Sequence, residues 1–532
     1  MTMAGQAKPL EKRAVVSSFI FHFPTGLSEE PQVALFRRSD KVSTYQHRIA
    51  PISGSISRND LDPLTAAWRE LSEETKLNPS NLSFWRAGKP FTFTDESVGR
   101  EWTINPFAFR LAEGAEKAIE TDWEHEGWQW YDPTTVVNND SSENEYVPHL
   151  RESLRRVWFE SELSDAAGKA LSSGLEKLHN DHSSGSHELT TIALEIFRDY
   201  VTQTKDYIFE AKWWDDARMA AWHLVKNGRE SMGAATLNAL LAILEEMDEI
   251  RRMDSFPEDT FERMITIIDH HLTGRNGRAG LVQDTFASYV RSNFLSDGKQ
   301  RGKLTIVTLS ASSTIRDSII EAFASLDISA LELRILESRP LFEGVNFASS
   351  ILSRFREQFK DSTDKRLDVS IYTDAAAAVA VEDADIVLLG ADRISKAKGV
   401  SNKTGSLPLV LSAKHVTSTA KVVVLSELEK VNGESGIIDD EKHEDNDPRE
   451  VLGTWKADGV KDVGHVEAAS SSDERLSSTV TVRNIYFEWI PLFLIDAFVS
   501  GEGVLSDTRI HEKASQQDEL ARWYFDSIPV RY

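Results

Sequence analysis

From Lys303 onward the chain sets out five short, nearly continuous apolar runs, LTIVTLS, LELRILES, LDVSIYT, ADIVLLGA and AKVVVLS, with stretches of helical character between them. Strands apolar on both faces must be covered on both faces, and strands separated by helices pair in parallel. The pattern therefore predicts a Rossmann-like parallel α/β sheet between helical layers. Ligands of such sheets gather beyond the carboxyl ends of the strands. The residues falling there are Ser310, Glu337-Ser338-Arg339-Pro340, Asp374 and Asp392-Arg393.

The first 160 residues read differently. Ala14–Phe23 and Gln32–Arg38 are β-branched and aromatic runs separated by a turn at Pro24–Gly26. Leu82–Ala87, Pro90–Thr94, Trp102–Leu111 and Glu126–Tyr131 add four aromatic-rich strands. Between these groups lies GSISRNDLDPLTAAWRELSEETKL, from Gly54 to Leu77. Leu64, Ala67, Trp68 and Leu71 recur at helical spacing, while Glu70, Glu73 and Glu74 stand at i, i+3 and i+4 and project together from another face. Like charges so placed destabilise an exposed helix by roughly 0.2–0.5 kcal/mol. Three carboxylates on one turn suit a hard divalent ion, Mg²⁺ or Mn²⁺, bridging to a diphosphate. The alternative is a solvated acidic face.

This stretch resembles the Nudix box of the Nudix hydrolases. Arg69, Glu70, Leu71, Glu73, Glu74 and Leu77 stand where that family has its arginine, metal-binding glutamates and apolar positions. Gly54 falls one residue early, the upstream glutamate is matched by Asp60, and the glycine near the helix end is Lys76. The resemblance implies a Nudix-type mixed α/β/α sandwich over residues 12–160, with Glu70, Glu73 and Glu74 as metal ligands and catalytic residues. Glu124 or His125, in a segment like the family's late strand, is a further candidate, against the alternative of a solvated strand end.

Residues 161–300 predict a helical middle layer, with helices over Val147–Leu175, His187–Thr204, Trp213–Met247, Pro257–Leu272 and Ala279–Leu295. Residues 301–532 form the C-terminal part, interrupted by an acidic insertion at 433–477 that reads as partly disordered. Beyond it, Val482–Val504 predicts a strand and a helix. Asn138–Asn144 reads as a loop.

Composition narrows the function. A net charge of -25 argues against a general nucleic-acid or anionic-membrane surface. With no cysteine among 532 residues, disulfides, thiolate metal sites and cysteine nucleophiles are excluded. The N-terminus has no apolar core of signal-peptide length, and the longest apolar run, Trp489–Val499, is too short to span a bilayer, so a cytoplasmic location is expected.

A second resemblance covers roughly residues 200–530. ILESRPLFEG, IYTDAAAAV, ADIVLLGADRI, VSNKTGS and FEWIPLFLID…GVLS follow the motif order of the alpha/beta/delta subunits of translation initiation factor 2B and of the ribose-1,5-bisphosphate and methylthioribose-1-phosphate isomerases. The isomerases use a cysteine and an aspartate. Here Asp392 matches the aspartate, and the cysteine position is Ser310, whose hydroxyl is a poor acid–base relay at neutral pH. The resemblance implies phosphate binding by Arg339, Asn402 and Lys403, with Ser310 and Asp392 beside the ligand. The family's Arg-Gly pair falls on Asn227-Gly228, so one basic contact is expected to be lost. Together the two resemblances imply a Mg²⁺- or Mn²⁺-dependent hydrolase of a nucleoside diphosphate-linked or related diphosphate compound. It is fused to a domain that binds a phosphorylated sugar or nucleotide or assembles a homo-oligomer. The alternatives are a non-catalytic regulatory protein and, third, a sugar-phosphate isomerase.

Overall fold

The computed structural model describes residues 10–24, 30–139, 145–253, 258–295, 301–360, 362, 364–441, 443–470 and 480–531. Thr25 and Gly26 of the expected turn, residues 140–144 of the expected loop, and 442 and 471–477 of the acidic insertion lie outside the described residues. The chain divides into two units. One comprises residues 1–180, 196–228 and 527–532, the other 181–195 and 229–526.

The first unit is built on strands β1 (Glu11–His22), β2 (Gln32–Arg38) and β3 (Ile49–Ala50), helix α1 (Pro63–Thr75), and strands β4 (Leu82–Ala87), β5 (Phe91–Asp95), β6 (Arg100–Leu111) and β7 (His125–Tyr131). The sheet order is β3-β2-β1-β6-β4, with β5 paired to β6 and β7 to β2. Only β1 and β6 run parallel, in register from Glu11↔Arg100 to Phe21↔Arg110. The sheet is mixed, as the aromatic runs predicted. On one face Phe19, Phe21, Val33 and Leu35 pack with Leu150, Leu154, Val157 and Trp158. These come from the segment holding α2 (Pro133–Asn138) and α3 (Leu150–Arg155), with α4 (Asp165–Asn180) following. The helix expected over Val147–Leu175 is thus broken between α3 and α4.

Helix α1 begins where the sequence signals it. Asp62 caps it by accepting from the Thr65 amide at 2.7 Å, and Pro63 occupies the first turn, where a missing N–H costs nothing. It ends on Lys76, whose φ of 62° is left-handed although the residue is not glycine, and whose amide still donates to the Ser72 carbonyl. The absent box glycine therefore does not alter the cap; it adds roughly 1 kcal/mol of backbone strain.

α5 (Ser186–Gln203) and α6 (Ala211–Lys226) precede a break at Asn227-Gly228, so the helix expected over Trp213–Met247 is two helices, α6 and α7 (Ala234–Arg251). Conversely, α8 (Thr260–Phe294) is a single helix of 35 residues where two were expected.

In the second unit, β8 (Arg301–Leu309), α9 (Ser313–Ser325), β9 (Ile328–Leu336), α10 (Glu343–Gln358), β10 (Arg366–Tyr372), α11 (Ala377–Ala380) and β11 (Ile386–Leu389) lead to the small strands β12 (Arg393–Ser395) and β13 (Gly399–Lys403). Then come α12 (Ser406–Val416), β14 (Lys421–Leu425), β15 (Val431–Asn432), α13 (Pro448–Ala457), α14 (Val463–Ser470), β16 (Phe487–Ile490), β17 (Ala497–Ser500), β18 (Gly503–Leu505) and α15 (Asp507–Ala521). The main sheet runs β10-β9-β8-β11-β14-β17-β18 and is parallel except for the last pair. The five apolar runs are its first five strands. Chain order reverses between β8 and β11, the topological switch point. A second sheet, β15-β12-β13-β16, stands beside it. Two expectations change here. The acidic insertion carries helices α13 and α14 in its described part, and Val482–Val504 holds strands with one 3-10 turn rather than a longer helix.

Candidate functional site

The first unit carries a cleft of about 300 Å³ lined by Glu70, Glu74, Glu124, Arg38, Gly54, Arg13, Arg100, Tyr45, Phe93 and Trp102 among others. Helix geometry decides which glutamates face it. At about 100° per residue, Glu74 lies 40° to one side of Glu70 and Glu73 60° to the other. The cleft takes Glu70 and Glu74. Glu73 is 59% exposed, outside the lining, and its carboxylate meets Arg69 Nη1 at 3.2 Å.

Arg69 organises the approach to this helix. Its guanidinium donates to both oxygens of Asp60 at 3.0 and 2.9 Å, to the Ser55 carbonyl at 3.1 Å and to Glu70 Oε1 at 2.7 Å. That bidentate pair keeps the Asp60 carboxyl far below the usual carboxylate range, with the Ser57 amide assisting. Gly54, one residue early in the motif, lies directly against Glu70: a Cβ there would sit 1.9 Å from the Glu70 carboxyl carbon. The shifted glycine thus serves the close approach.

Glu74 is buried, and desolvation, then Glu124, then Glu70 push its carboxyl up to about 10. Glu70 also shares a hydrogen bond with it. Glu124 is pushed up by burial and by Asp122, with Arg38 opposing. His125 sits behind Glu74, Nε2 at 3.4 Å from Glu74 Oε2 and Nδ1 at 3.5 Å from Asp122 Oδ1, and burial holds its pKa below the usual value. Of the two late candidates, Glu124 lines the cleft and His125 backs it. Among the described residues no three His, Asp or Glu side chains stand in ready-made ion-holding geometry. The donor chemistry nonetheless fits a hard cation, whose charge would offset the crowding of the Glu70 and Glu74 carboxyl groups.

Sequence reasoning missed Arg38, Tyr45 and Trp102. Arg38 Nε donates to the Thr44 carbonyl at 3.2 Å; burial lowers its pKa, and the charges of Glu74 and Glu124 hold it up. Tyr45 donates to Asp95 Oδ2 at 2.8 Å, its ring 6.4 Å from that of Trp102, while Arg100 lies 5.1 Å over the Trp102 ring. These residues come from β2, a loop and β6. No local spacing connects them.

The second unit holds a cavity of about 450 Å³ at the switch point, beyond the ends of β8 and β11. Of the five residues the resemblance set beside a ligand, Ser310, Asp392, Asn402 and Lys403 line it and Arg339 does not; nor do Glu337, Ser338, Asp374 and Arg393, the other charged or polar residues expected at the strand ends. Arg339 is 43% exposed and pairs with Glu337 at 2.9 Å and Asp458 at 3.0 Å. Ser310 is in a left-handed conformation, φ 64°, its amide donating to Ser338 Oγ at 2.8 Å. Ser313 and Thr314, in the first turn of α9, also face the cavity, which puts free amides of a helix N-terminus there. Lys403 Nζ is 2.6 Å from Glu343 and 4.3 Å from the Tyr486 ring centre.

Four cavity residues went unread in the sequence: Arg229, Arg275, Lys430 and His187. Arg229 and Arg275 are 7% and 3% exposed, and each keeps a buried Nε without a hydrogen-bond partner among the described residues. Asn227, where a basic contact was expected to be lost, does not line the cavity. Asn227 bonds the Ala87 backbone in the first unit, and Arg229, two residues on, supplies a cation to the cavity. Desolvation pushes the Asp392 carboxyl up, with Lys430 and Arg229 opposing.

A two-unit α/β protein is thereby defined, one unit bearing an acidic cleft on a mixed sheet, the other a basic cavity at the switch point of a parallel sheet. The chain belongs to the Initiation factor 2 subunit family, whose model matches residues 231–507, more than half of its length. A NUDIX domain is matched at residues 23–156 and supports a hydrolase of diphosphates. Methylthioribose-1-phosphate isomerases of Pseudomonas paraeruginosa and Pseudomonas aeruginosa are 30% identical over 171 residues, which is 32% of this chain and 40% of theirs. The match thus spans less than half the length of these relatives. The Pyrococcus horikoshii translation initiation factor eIF-2B is 17% identical, with 64% of this chain and 98% of that chain covered and a TM-score of 0.43. For the tetrameric eIF2B-beta2-delta2 complex of C. thermophilum the identity is 11%, the coverage 68% and 98%, and the TM-score 0.47. Among the described residues no helix is long and apolar enough to cross a membrane.

Proposed function

We propose that the first unit is a Mg²⁺- or Mn²⁺-dependent hydrolase of a nucleoside diphosphate-linked or related diphosphate compound. The observation that carries this reading is the convergence of Glu70, Glu74 and Glu124 on one cleft beside Arg38. Glu70 and Glu74 would hold the ion, and Glu73, on the solvent side of the same helix, would flank them. When bound, the ion supplies Lewis-acid polarisation of a phosphoryl oxygen and a more acidic water. Arg38, already drawn toward Glu74 and Glu124, sets fixed positive charge against the diphosphate without reorganising. Glu124, with a carboxyl raised by burial, takes up a proton more readily near neutral pH than an exposed glutamate and is the group to orient water. Tyr45, Phe93 and Trp102 offer aromatic wall for the group the diphosphate carries. The test is phosphate or nucleotide release from a panel of nucleoside diphosphate-linked compounds with Mg²⁺, with Mn²⁺ and with chelator, beside Glu74→Gln. Metal-dependent cleavage lost in the variant supports the assignment; cleavage unchanged by Glu74→Gln refutes the site.

For the second unit the reading is a binding domain for a phosphorylated sugar or nucleotide. Arg229, Arg275, Lys403, Lys430 and the first turn of α9 surround one cavity, and a phosphate offers each of them an acceptor. Ser310 in place of a thiol favours binding over isomerisation, since an alcohol is a poor proton relay at neutral pH. Assembly into a homo-oligomer through this unit follows the family. Thermal shift with ribose 5-phosphate and nucleoside monophosphates, and sedimentation of the full-length chain, test the two statements. A strict monomer unmoved by any of these ligands would refute them.

A further inference from the structure

One wall of the second unit's cavity is held by carboxylates of the acidic segment 443–458, through one ion pair and several hydrogen bonds. Glu444 accepts from Arg229 Nη2 at 2.9 Å, from the Ser231 hydroxyl, and from Asn446 Nδ2 at 2.7 Å. Burial works to raise its carboxyl, but the Arg229 charge and these hydrogen bonds hold it below the usual value. Arg229, for its part, donates to the Asp181 carbonyl at 2.6 Å, and among the described residues its buried Nε has no hydrogen-bond partner. Further along, Glu450 accepts from the Tyr486 hydroxyl at 2.6 Å and from Asn484 Nδ2 at 2.7 Å. Tyr486 is itself a cavity residue and lies against Lys403. Two groups of the cavity wall, one cationic and one aromatic, are therefore each held by a carboxylate of the same segment.

We propose that segment 443–458 is an anionic strap in which the Glu444 carboxylate, paired with Arg229, competes with an entering phosphate for that guanidinium and is displaced by it. This rests on the reading that the cavity takes a phosphorylated ligand. A single guanidinium cannot serve a buried carboxylate and a phosphate dianion equally, because the two anions repel across a few ångströms of low-dielectric protein. The dianion presents more acceptor oxygens and more charge, so it wins the guanidinium and Glu444 moves toward solvent. The Glu444 charge already reaches the interior, since it adds to the pressure that raises the Asp392 carboxyl. Once Glu444 lets go, its carbonyl still accepts from the Tyr486 amide, Asp445, Asn446 and Glu450 keep their bonds to Asn484 and Tyr486, and Asp458 keeps Arg339, so the movement is confined to the Glu444 side chain and its neighbours.

The test uses full-length protein with ribose 5-phosphate and inorganic phosphate as probes. Calorimetric titration of wild type and Glu444→Gln is expected to show tighter binding by the variant, about tenfold, because the amide keeps the packing and removes the competing charge. In wild type alone, hydrogen exchange of residues 443–458 should speed up when the probe is added, a readout that does not depend on the variant folding. Weaker or unchanged binding by Glu444→Gln, or slower exchange of 443–458 with the probe, overturns the strap and makes Glu444 a positioning residue for Arg229. Absence of binding in both proteins instead removes the phosphate reading of the cavity, and the strap with it.

Discussion

Replacing Glu74 by Gln probes the cleft through stability as well as catalysis. A carboxyl raised in the folded state to about 10, against an unfolded value of about 4.3, binds its proton more tightly folded than unfolded. Between those two values the folded chain carries the proton and the unfolded chain does not, so stability is full below about pH 4.3 and falls as pH rises, by about 1.4 kcal/mol per unit. At pH 8 the accumulated cost has an upper limit of about 5 kcal/mol. Water entering the cleft and the nearby Arg38 reduce it, so about 2–5 kcal/mol is the working range. Glutamine keeps the shape and never ionises. In chelator at pH 8 Glu74→Gln should therefore melt higher than wild type by about 5–10 °C, and the gap should close toward pH 5. With millimolar Mn²⁺ or Mg²⁺ wild type should gain stability at pH 8 and the variant should not. Scanning calorimetry of the full-length chain reads this, following the transition that the substitution shifts, since two units need not melt together. A variant less stable than wild type at pH 8 without metal would refute the argument that Glu74 is a desolvated, strained carboxyl.

Gly54→Ala should displace the Glu70 carboxyl, because the added Cβ would lie 1.9 Å from its carbon, and metal-dependent hydrolysis should fall at least tenfold while the melting temperature moves by only a few degrees. Lys76→Gly should stabilise the first unit by about 0.5–1 kcal/mol, measured by chemical denaturation, because it relieves a left-handed cap without touching the cleft. Arg69→Lys loses the two-pronged contact with Asp60 and the Ser55 carbonyl, and should cost about 1–3 kcal/mol of stability and raise the proteolytic sensitivity of residues 54–60. Arg275→Met should abolish any ribose 5-phosphate thermal shift, whereas Arg339→Ala, outside the cavity, should leave that shift intact.

What could be read in advance followed from local chemistry. Five doubly apolar runs allowed only a covered parallel sheet, and β8 to β11 and β14 carry them. The Asp62-Pro63 start of α1 and its apolar spacing follow from capping and periodicity, which need no distant partner. Glu70 and Glu74 came from the same periodicity. That Glu73 turns to solvent did not, because three residues within 100° of arc look equivalent until a sheet is laid against one side. Lys76 shows the converse: the missing glycine suggested a damaged cap, yet the backbone takes the left-handed turn at modest cost because the packing on either side requires it. Ser310 and Asp392 meet because parallel strands end at a common edge, which the strand pattern anticipates; Asn402 and Lys403, on β13 of the second sheet, were expected beside them through the resemblance. Arg229, Arg275, Lys430 and Arg38 carry no local signature, since a basic residue on a helix or strand is most often a solvated one. By itself the sequence determined element type, the caps and which residues could carry charge chemistry, through forces acting within about one turn or one strand. Tertiary structure alone decided which charges are stripped of water and brought within a few ångströms of each other, because desolvation and cross-element contact exist only once the layers have packed.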